Sequence, residues 1–284
     1  MVIIKLISRP MKKSLHMVLA LAAALLCCGC AKDTVREVEV SFFVSSGLPE
    51  VKSAGDASQA DQLIVRAYDS ADRYLDYIPF TVTRSGNGFS VKGTFVRGEE
   101  YTLLFFAQKS GTYTVETDGM LVVEDYGAVS DESRDAFYAV EEVVADDRLA
   151  ASGLSVTLKR LFALLQFTSS QEDKAHSDAA GLTADAWCRV ELDRVPDRVN
   201  LLSGEVQGSV RTTLGAGRCG QDVAFAFILA GAAESRIDAT VEVVSGAFSS
   251  TRIVTDIPVR RNCRTTVKGD YFTTEGTLEI SLSN

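Results

Sequence analysis

The chain has 284 residues, with 29 Lys+Arg against 38 Asp+Glu and a 46% hydrophobic content. That acidic balance argues against nucleic acid as a partner, because a phosphate backbone needs a basic face to displace its counterions. The length suffices for one large or two ordinary domains, each with its own core. No stretch approaches the roughly 18 apolar residues of a membrane-spanning helix.

The first element is a leader. Met11-Lys12-Lys13 is followed by ten apolar residues, 17–26, and then by Cys27-Cys28-Gly29-Cys30. A short basic segment, a brief apolar run and a small residue ahead of a cysteine form a bacterial secretory signal that ends at a lipid-modification site. As a helix the apolar run rises only about 15 Å, half the hydrocarbon thickness, so it does not span a bilayer. Cys27 and Cys28 stand where Leu and a small residue are usual, which leaves simple cleavage as the alternative, whereas Gly29 directly before Cys30 fits acylation. Residues 1–10 precede an ordinary Met-Lys-Lys start. Residues 1–29 are read as signal peptide, Cys30 as the palmitate-bearing first residue of the mature lipoprotein, and 30–36 as its tether. Removing the leader takes away Lys5, Arg9, Lys12 and Lys13, so the mature chain carries 25 basic against 38 acidic residues, a net charge of −13.

Residues 37–44 alternate, with Val38, Val40, Phe42 and Val44 on one face and Glu37, Glu39 and Ser41 on the other. This is a strand with one wet face. A polar linker, 45–60, carries Gly47, Pro49 and Gly55. Residues 63–68 read as a second strand and 74–83 as a third, where Pro79 implies an edge or a bulge. Gly86-Asn87-Gly88 accepts positive φ and lets the third strand fold back into 89–95. Arg97-Gly98-Glu99 turns again, into the strongly apolar 101–107. Strands at this spacing, with Gly-rich turns, point to a β-sandwich or barrel.

Between 118 and 153 acids accumulate, and this reads as a solvated connection with a capped helical turn at 130–136. A domain boundary is placed near Ala151, dividing the mature chain into 37–150 and 151–284. The second half repeats the β texture: one long apolar segment at 154–167, then 187–192, an alternating 206–213, and a core strand at 222–229. A hairpin of 237–244 and 248–257 about Ser245-Gly246-Ala247 follows, and 277–282 closes the chain with period two.

Chemistry-bearing patterns are sparse. Beyond Cys30 the cysteines are Cys188, Cys219 and Cys263, without zinc-ligand spacing. An oxidising compartment allows a Cys219–Cys263 bridge; otherwise all three act as small apolar residues. His176, in a polar run read as a loop, lacks a partner ligand. The acids show no D-x-D-x-D-G spacing for calcium, and neither a G-x-S-x-G elbow nor an H-E-x-x-H segment occurs. No catalytic, cofactor or metal residue is assigned, and the chain is read as a non-enzyme.

Several segments, in order, resemble the fimbrillin superfamily of Bacteroidales, the lipoprotein precursors of type V pili and their relatives. Asp135-Ala136-Phe137-Tyr138 followed by 156–167 looks like the strand that opens the family's second domain, with Leu161 in place of the usual Pro. Val195-Pro196, Asn200 and Gly204-Glu205 resemble its Val-Pro, Phe-Asn, Thr-Gly-Glu segment, with Val199 where Phe is usual. Residues 228–230 and 257–269 look like its last strands, Cys263 standing where an aromatic is common. The likeness implies two transthyretin-like β-sandwich domains and an outer-membrane lipoprotein, exposed on the cell surface or built into a fimbrium.

It also implies assembly by β-strand addition: a protease removes the first strand, and another pilin subunit's extended strand fills the groove. The removable strand is then the one bearing Val38, Val40, Phe42 and Val44. The family's processing site presents Arg, but no Arg occurs between Arg36 and Arg66, so Lys52 is the candidate site for a trypsin-like enzyme. If Lys52 is only a solvated loop charge and the strand is retained, the protein is an anchor, tip or non-polymerising surface lipoprotein. The alternative function is a surface module binding a host or bacterial glycan or protein, in which Tyr74, Tyr77 and Trp187 stack on the ligand.

Overall fold

The computed structural model describes residues 36–45, 59–86, 88–182, 185–219 and 222–283. Alternation at the start of this region produces β1 (Glu37–Ser45), followed by β2 (Gln62–Tyr68), β3 (Phe80–Ser85), β4 (Gly88–Val96) and β5 (Glu100–Gln108). Then come β6 (Met120–Val122), a single 3-10 turn (Glu132–Arg134), β7 (Phe137–Val144), helix α1 (Asp147–Ser152), β8 (Leu154–Thr157), β9 (Lys159–Arg160) and β10 (Phe162–Ser169). Helix α2 (Gln171–Ala179) precedes β11 (Trp187–Val195), β12 (Arg198–Asn200), β13 (Val206–Gln207), β14 (Val210–Thr213) and β15 (Gly217–Arg218). The chain continues through β16 (Ala224–Leu229), β17 (Ser235–Ser245), β18 (Phe248–Val259), β19 (Arg264–Gly269) and β20 (Leu278–Ser283).

These strands form open sheets that pack face to face, an all-β sandwich fold and not a barrel. The sheets β3-β4-β1-β8 and β2-β5-β7-β9 enclose one apolar core. The sheets β16-β10-β19-β20 and β14-β11-β17-β18, with β15 beside β11 and the small sheet β13-β12-β6, supply most of a second. Residues from Glu37 onward belong to one compact unit in spite of having two cores.

β5 explains that continuity. Its side chains point alternately to opposite faces, as any strand's do, and Leu103, Phe105 and Ala107 enter the first core while Leu104 and Phe106 enter the second. The run 101–107 is apolar throughout because its sheet is covered on both sides. β16 and the first half of β10 are continuous apolar runs for the same reason, with Phe162, Ala163, Leu164 and Leu165 fully inaccessible.

The structure corrects several sequence expectations. The third strand begins after Pro79, because proline has no N–H to give the ladder; Tyr74 makes only an isolated bridge to Tyr68. Edge placement of β3 and the Gly86 turn, at φ +56°, follow the sequence reading. The stretch 154–167 is three strands in three different sheets: β8 pairs in parallel with β1, β9 pairs with β7, and β10 enters the second pair of sheets. β8 and β9 belong to the two sheets that enclose the first core.

The acidic connection is also more than solvated chain. Tyr113, Val115, Leu121, Val123, Tyr126 and Val129 are buried in the second core while Glu124 and Asp125 face solvent. β7 was hidden there because Glu141-Glu142 interrupts its alternation, although it pairs along its length with β5. The helical turn is present as the 3-10 segment, capped by the Asp131 carboxylate accepting from the Ser133 N–H. His176 lies on α2 and not in a loop, because Ser170 caps that helix by accepting from the Asp173 N–H at 3.0 Å.

Where the two sandwiches meet, the Arg160 Nε donates to both oxygens of Asp135 at 3.0 and 3.1 Å, and its guanidinium lies 5.7 Å from the Phe137 ring and 5.8 Å from the Phe227 ring. Both partners are buried. Removing one leaves the other charged and desolvated, so Asp135→Leu or Arg160→Met alone is expected to cost about 3–5 kcal/mol, and the double substitution markedly less than their sum. Urea unfolding of the four proteins measures this.

Candidate functional site

The site of interest is the channel that holds β1. This strand is central in its sheet: it runs antiparallel to β4 from Glu37 opposite Val96 to Ser45 opposite Gly88, and parallel to β8 from Phe42 beside Leu154 to Ser45 beside Thr157. Its inner side chains are Val38, Val40, Phe42 and Val44, at 8%, 0%, 1% and 0% exposure. Phe42 packs against the Phe105 and Phe95 rings at centroid distances of 5.5 and 6.1 Å. Val40 faces Gly93, where a Cβ would come within 2.9 Å of both the Phe80 and Phe95 rings, so the missing side chain makes room for the aromatic wall.

The outer face is polar and weakly held. Glu39 and Lys92 form an exposed ion pair at 2.9 Å, worth at most a fraction of the apolar contacts beneath it. Phe43, 59% exposed, stands opposite Ser90 and beside Ser155. The Ser45 carbonyl accepts from the Leu158 N–H at 2.8 Å and fixes the strand's end. On the neighbouring strand the Val96 N–H donates to the Tyr101 hydroxyl at 3.1 Å, and burial pushes the Tyr101 pKa up, so this hydroxyl stays a neutral part of the wall.

Chemically the channel is built to bind an extended chain. Backbone groups on both flanking strands supply ladder hydrogen bonds, and the floor takes an apolar side chain at every second position. Burying the four inner side chains stabilises β1 in place by roughly 6–12 kcal/mol. A nick after the strand would therefore not by itself release it.

Cys30 and Lys52 lie outside the described residues. The proposed stacking aromatics do not converge: the Tyr74 ring lies under the Arg66 guanidinium at 5.3 Å, Tyr77 borders a shallow groove with Glu37 and Pro79, and Trp187 sits on β11 with Arg218 over its ring at 5.7 Å. Nor does Cys219 meet Cys263. The Cys263 sulfur accepts a hydrogen bond from the Arg260 Nε at 3.1 Å, whereas Cys219, just after β15, lies diagonally across from Cys188 of β11. Sequence spacing could not show this, since 31 positions separate the pair and the register of β15 brings them together.

The inner face of β1 predicts its own test. Phe42→Ala should lower the unfolding free energy by about 3–5 kcal/mol, while Phe43→Ser one residue away should stay within about 0.5 kcal/mol. Guanidinium denaturation of both variants checks the difference.

The same architecture recurs in crystal structures of Bacteroidales proteins. A candidate cell adhesion protein of Bacteroides uniformis superposes with a TM-score of 0.59 at 10% identity, covering 86% of this chain and 97% of that one. A second candidate cell adhesion protein, from Bacteroides ovatus, gives 0.51 at 14% identity over 88% and 98%. A fimbrial assembly protein of Parabacteroides distasonis gives 0.50 at 11% identity over 87% and 100%. At such identities the likeness establishes the fold, the one expected from the fimbrillin resemblance. No curated protein matches the sequence. Residues 32–284 match the family described as a family of unknown function, DUF6562, and the chain belongs to that family.

Proposed function

We propose that this member of the DUF6562 family is a fimbrillin-like surface lipoprotein with a structural and adhesive role, acting through strand addition and not through catalysis. The observation that carries the reading is the placement of β1, a central strand with one buried face, paired with β4 along its whole length and with β8 over Phe42–Ser45. The names of the structural neighbours, cell adhesion and fimbrial assembly proteins, favour the same role. In this reading Cys30 carries the acyl chains that tie the protein to the outer membrane, residues 30–36 are the tether, and two sandwich domains follow.

Because the lipid and β1 lie on the same side of Lys52, one peptide bond decides the role. Cut there, the subunit loses its anchor when another pilin subunit's strand replaces β1, and it joins a fimbrium. Uncut, β1 stays seated and the protein is the anchor or tip. The roughly 6–12 kcal/mol holding β1 makes cleavage and release separate steps, so displacement by a donor strand, and not proteolysis, would set the rate of assembly.

Limited digestion with a lysine-specific protease tests the shaft role. Protein whose N-terminus has become Ser53 should form ladders on non-boiled gels, and Lys52→Gln protein, uncut at that bond, should remain monomeric. Monomers from the Ser53 form would remove the shaft role and leave the anchor. Acylation is tested by labelling cells with radioactive palmitate: wild-type protein should take up label and Cys30→Ala protein should not, and equal incorporation in the two would refute the lipid site.

A further inference from the structure

Cys188 lies on β11, and Cys219 directly follows β15, which pairs antiparallel to β11 with Trp187 opposite Arg218 and Cys188 opposite Gly217. The Cys219 N–H extends that ladder by donating to the Ala186 carbonyl at 3.0 Å. Residue 219 therefore stands opposite residue 186, and the pleat turns it to the same face as residue 188. Trp187 and Arg218 take the other, exposed face. On that inner face the two thiols are diagonal neighbours on paired strands, close enough to perturb one another. Cys188 is buried, whereas Cys219 is half-buried and within reach of solvent.

We propose that Cys188 and Cys219 form an intrachain disulfide by thiol–disulfide exchange, riveting β15 to β11. The Cys219 thiolate attacks one sulfur of an external disulfide, giving a mixed disulfide and one released thiolate. Cys188 then gives up its proton and attacks the Cys219 sulfur, expelling the second external thiolate. One protein disulfide forms, one external disulfide is reduced, and the two protein protons end on the two released thiols. The half-buried cysteine is suited to the first attack and the buried one to the second. The neighbouring Cys188 lowers the Cys219 pKa, which favours the attacking thiolate.

The bridge encloses residues 188–219, the stretch that contains β12, β13 and β14, and closing that loop restricts the unfolded chain. It goes beyond the strand-addition reading and needs only an oxidising compartment to persist. A defined redox buffer makes its test independent of where the protein resides.

The full chain, purified reduced, is incubated with oxidised glutathione, alkylated with N-ethylmaleimide in denaturant and digested with trypsin. The expected product joins tryptic peptide 175–189 to peptide 219–236, disappears on reduction, and is missing from Cys219→Ser protein. Reduction should lower the Tm of the oxidised wild type by about 5 °C or more, with no shift in Cys219→Ser or Cys188→Ala. Recovery of alkylated Cys188 and Cys219, of Cys219 still carrying glutathione, or of Cys219 joined to peptide 262–264 overturns the proposal.

Discussion

The architecture depends on one sheet being buried from both sides. In β5, Leu103 and Phe105 belong to the first core while Leu104 and Phe106 belong to the second. Pulling the sandwiches apart would expose the second set to water, at roughly 1.5–3 kcal/mol for each large side chain. Residues from Glu37 onward thus have two cores within one compact unit. The opposite sheet of the first sandwich contributes to a single core only, and β1 lies in that sheet.

Polar side chains set the register at that interface. The buried Gln108 locks its own strand to the following loop, its amide donating to the Tyr113 carbonyl at 3.0 Å and accepting from the Tyr113 N–H at 2.7 Å. The Tyr113 ring then stacks on Phe162 at 5.3 Å, linking the end of β5 to the start of β10. Arg261 donates to the Tyr138 hydroxyl and the Gly204 carbonyl, tying β7 to the far sandwich. A comparable device secures the C-terminal region: the buried Asp173 carboxylate of α2 accepts the N–H groups of Tyr271 and Phe272 at 2.9 and 2.8 Å. Buried polar groups of this kind add specificity because each is costly to leave unmatched.

What could be read in advance follows from how locally each feature is encoded. β1 and β20 are visible as alternation, β2 as a short apolar run and β17 as one arm of a hairpin about Gly246. β7 is not, because Glu141 and Glu142 sit on adjacent positions and its pairing with β5 holds the strand instead. The single apolar stretch 154–167 gave no hint of its breaks, for hydrophobicity does not say to which sheet a residue belongs. Helix α2 rests on a cap at Ser170 and on Asp173 turning inward, in a segment with few apolar residues to show a helical period.

Sequence alone determined that the chain is built of short extended segments, which side chains of β1 point inward and where several of the turns lie, because those properties repeat within a few neighbouring residues. Only the tertiary structure decided that β8 lies parallel beside β1, that the sheet containing β5 is covered twice, that Asp135 meets Arg160, and that Cys188 faces Cys219 instead of Cys219 facing Cys263. Each of these relations joins residues far apart along the chain, and their register is fixed by packing across sheets, which no local pattern records.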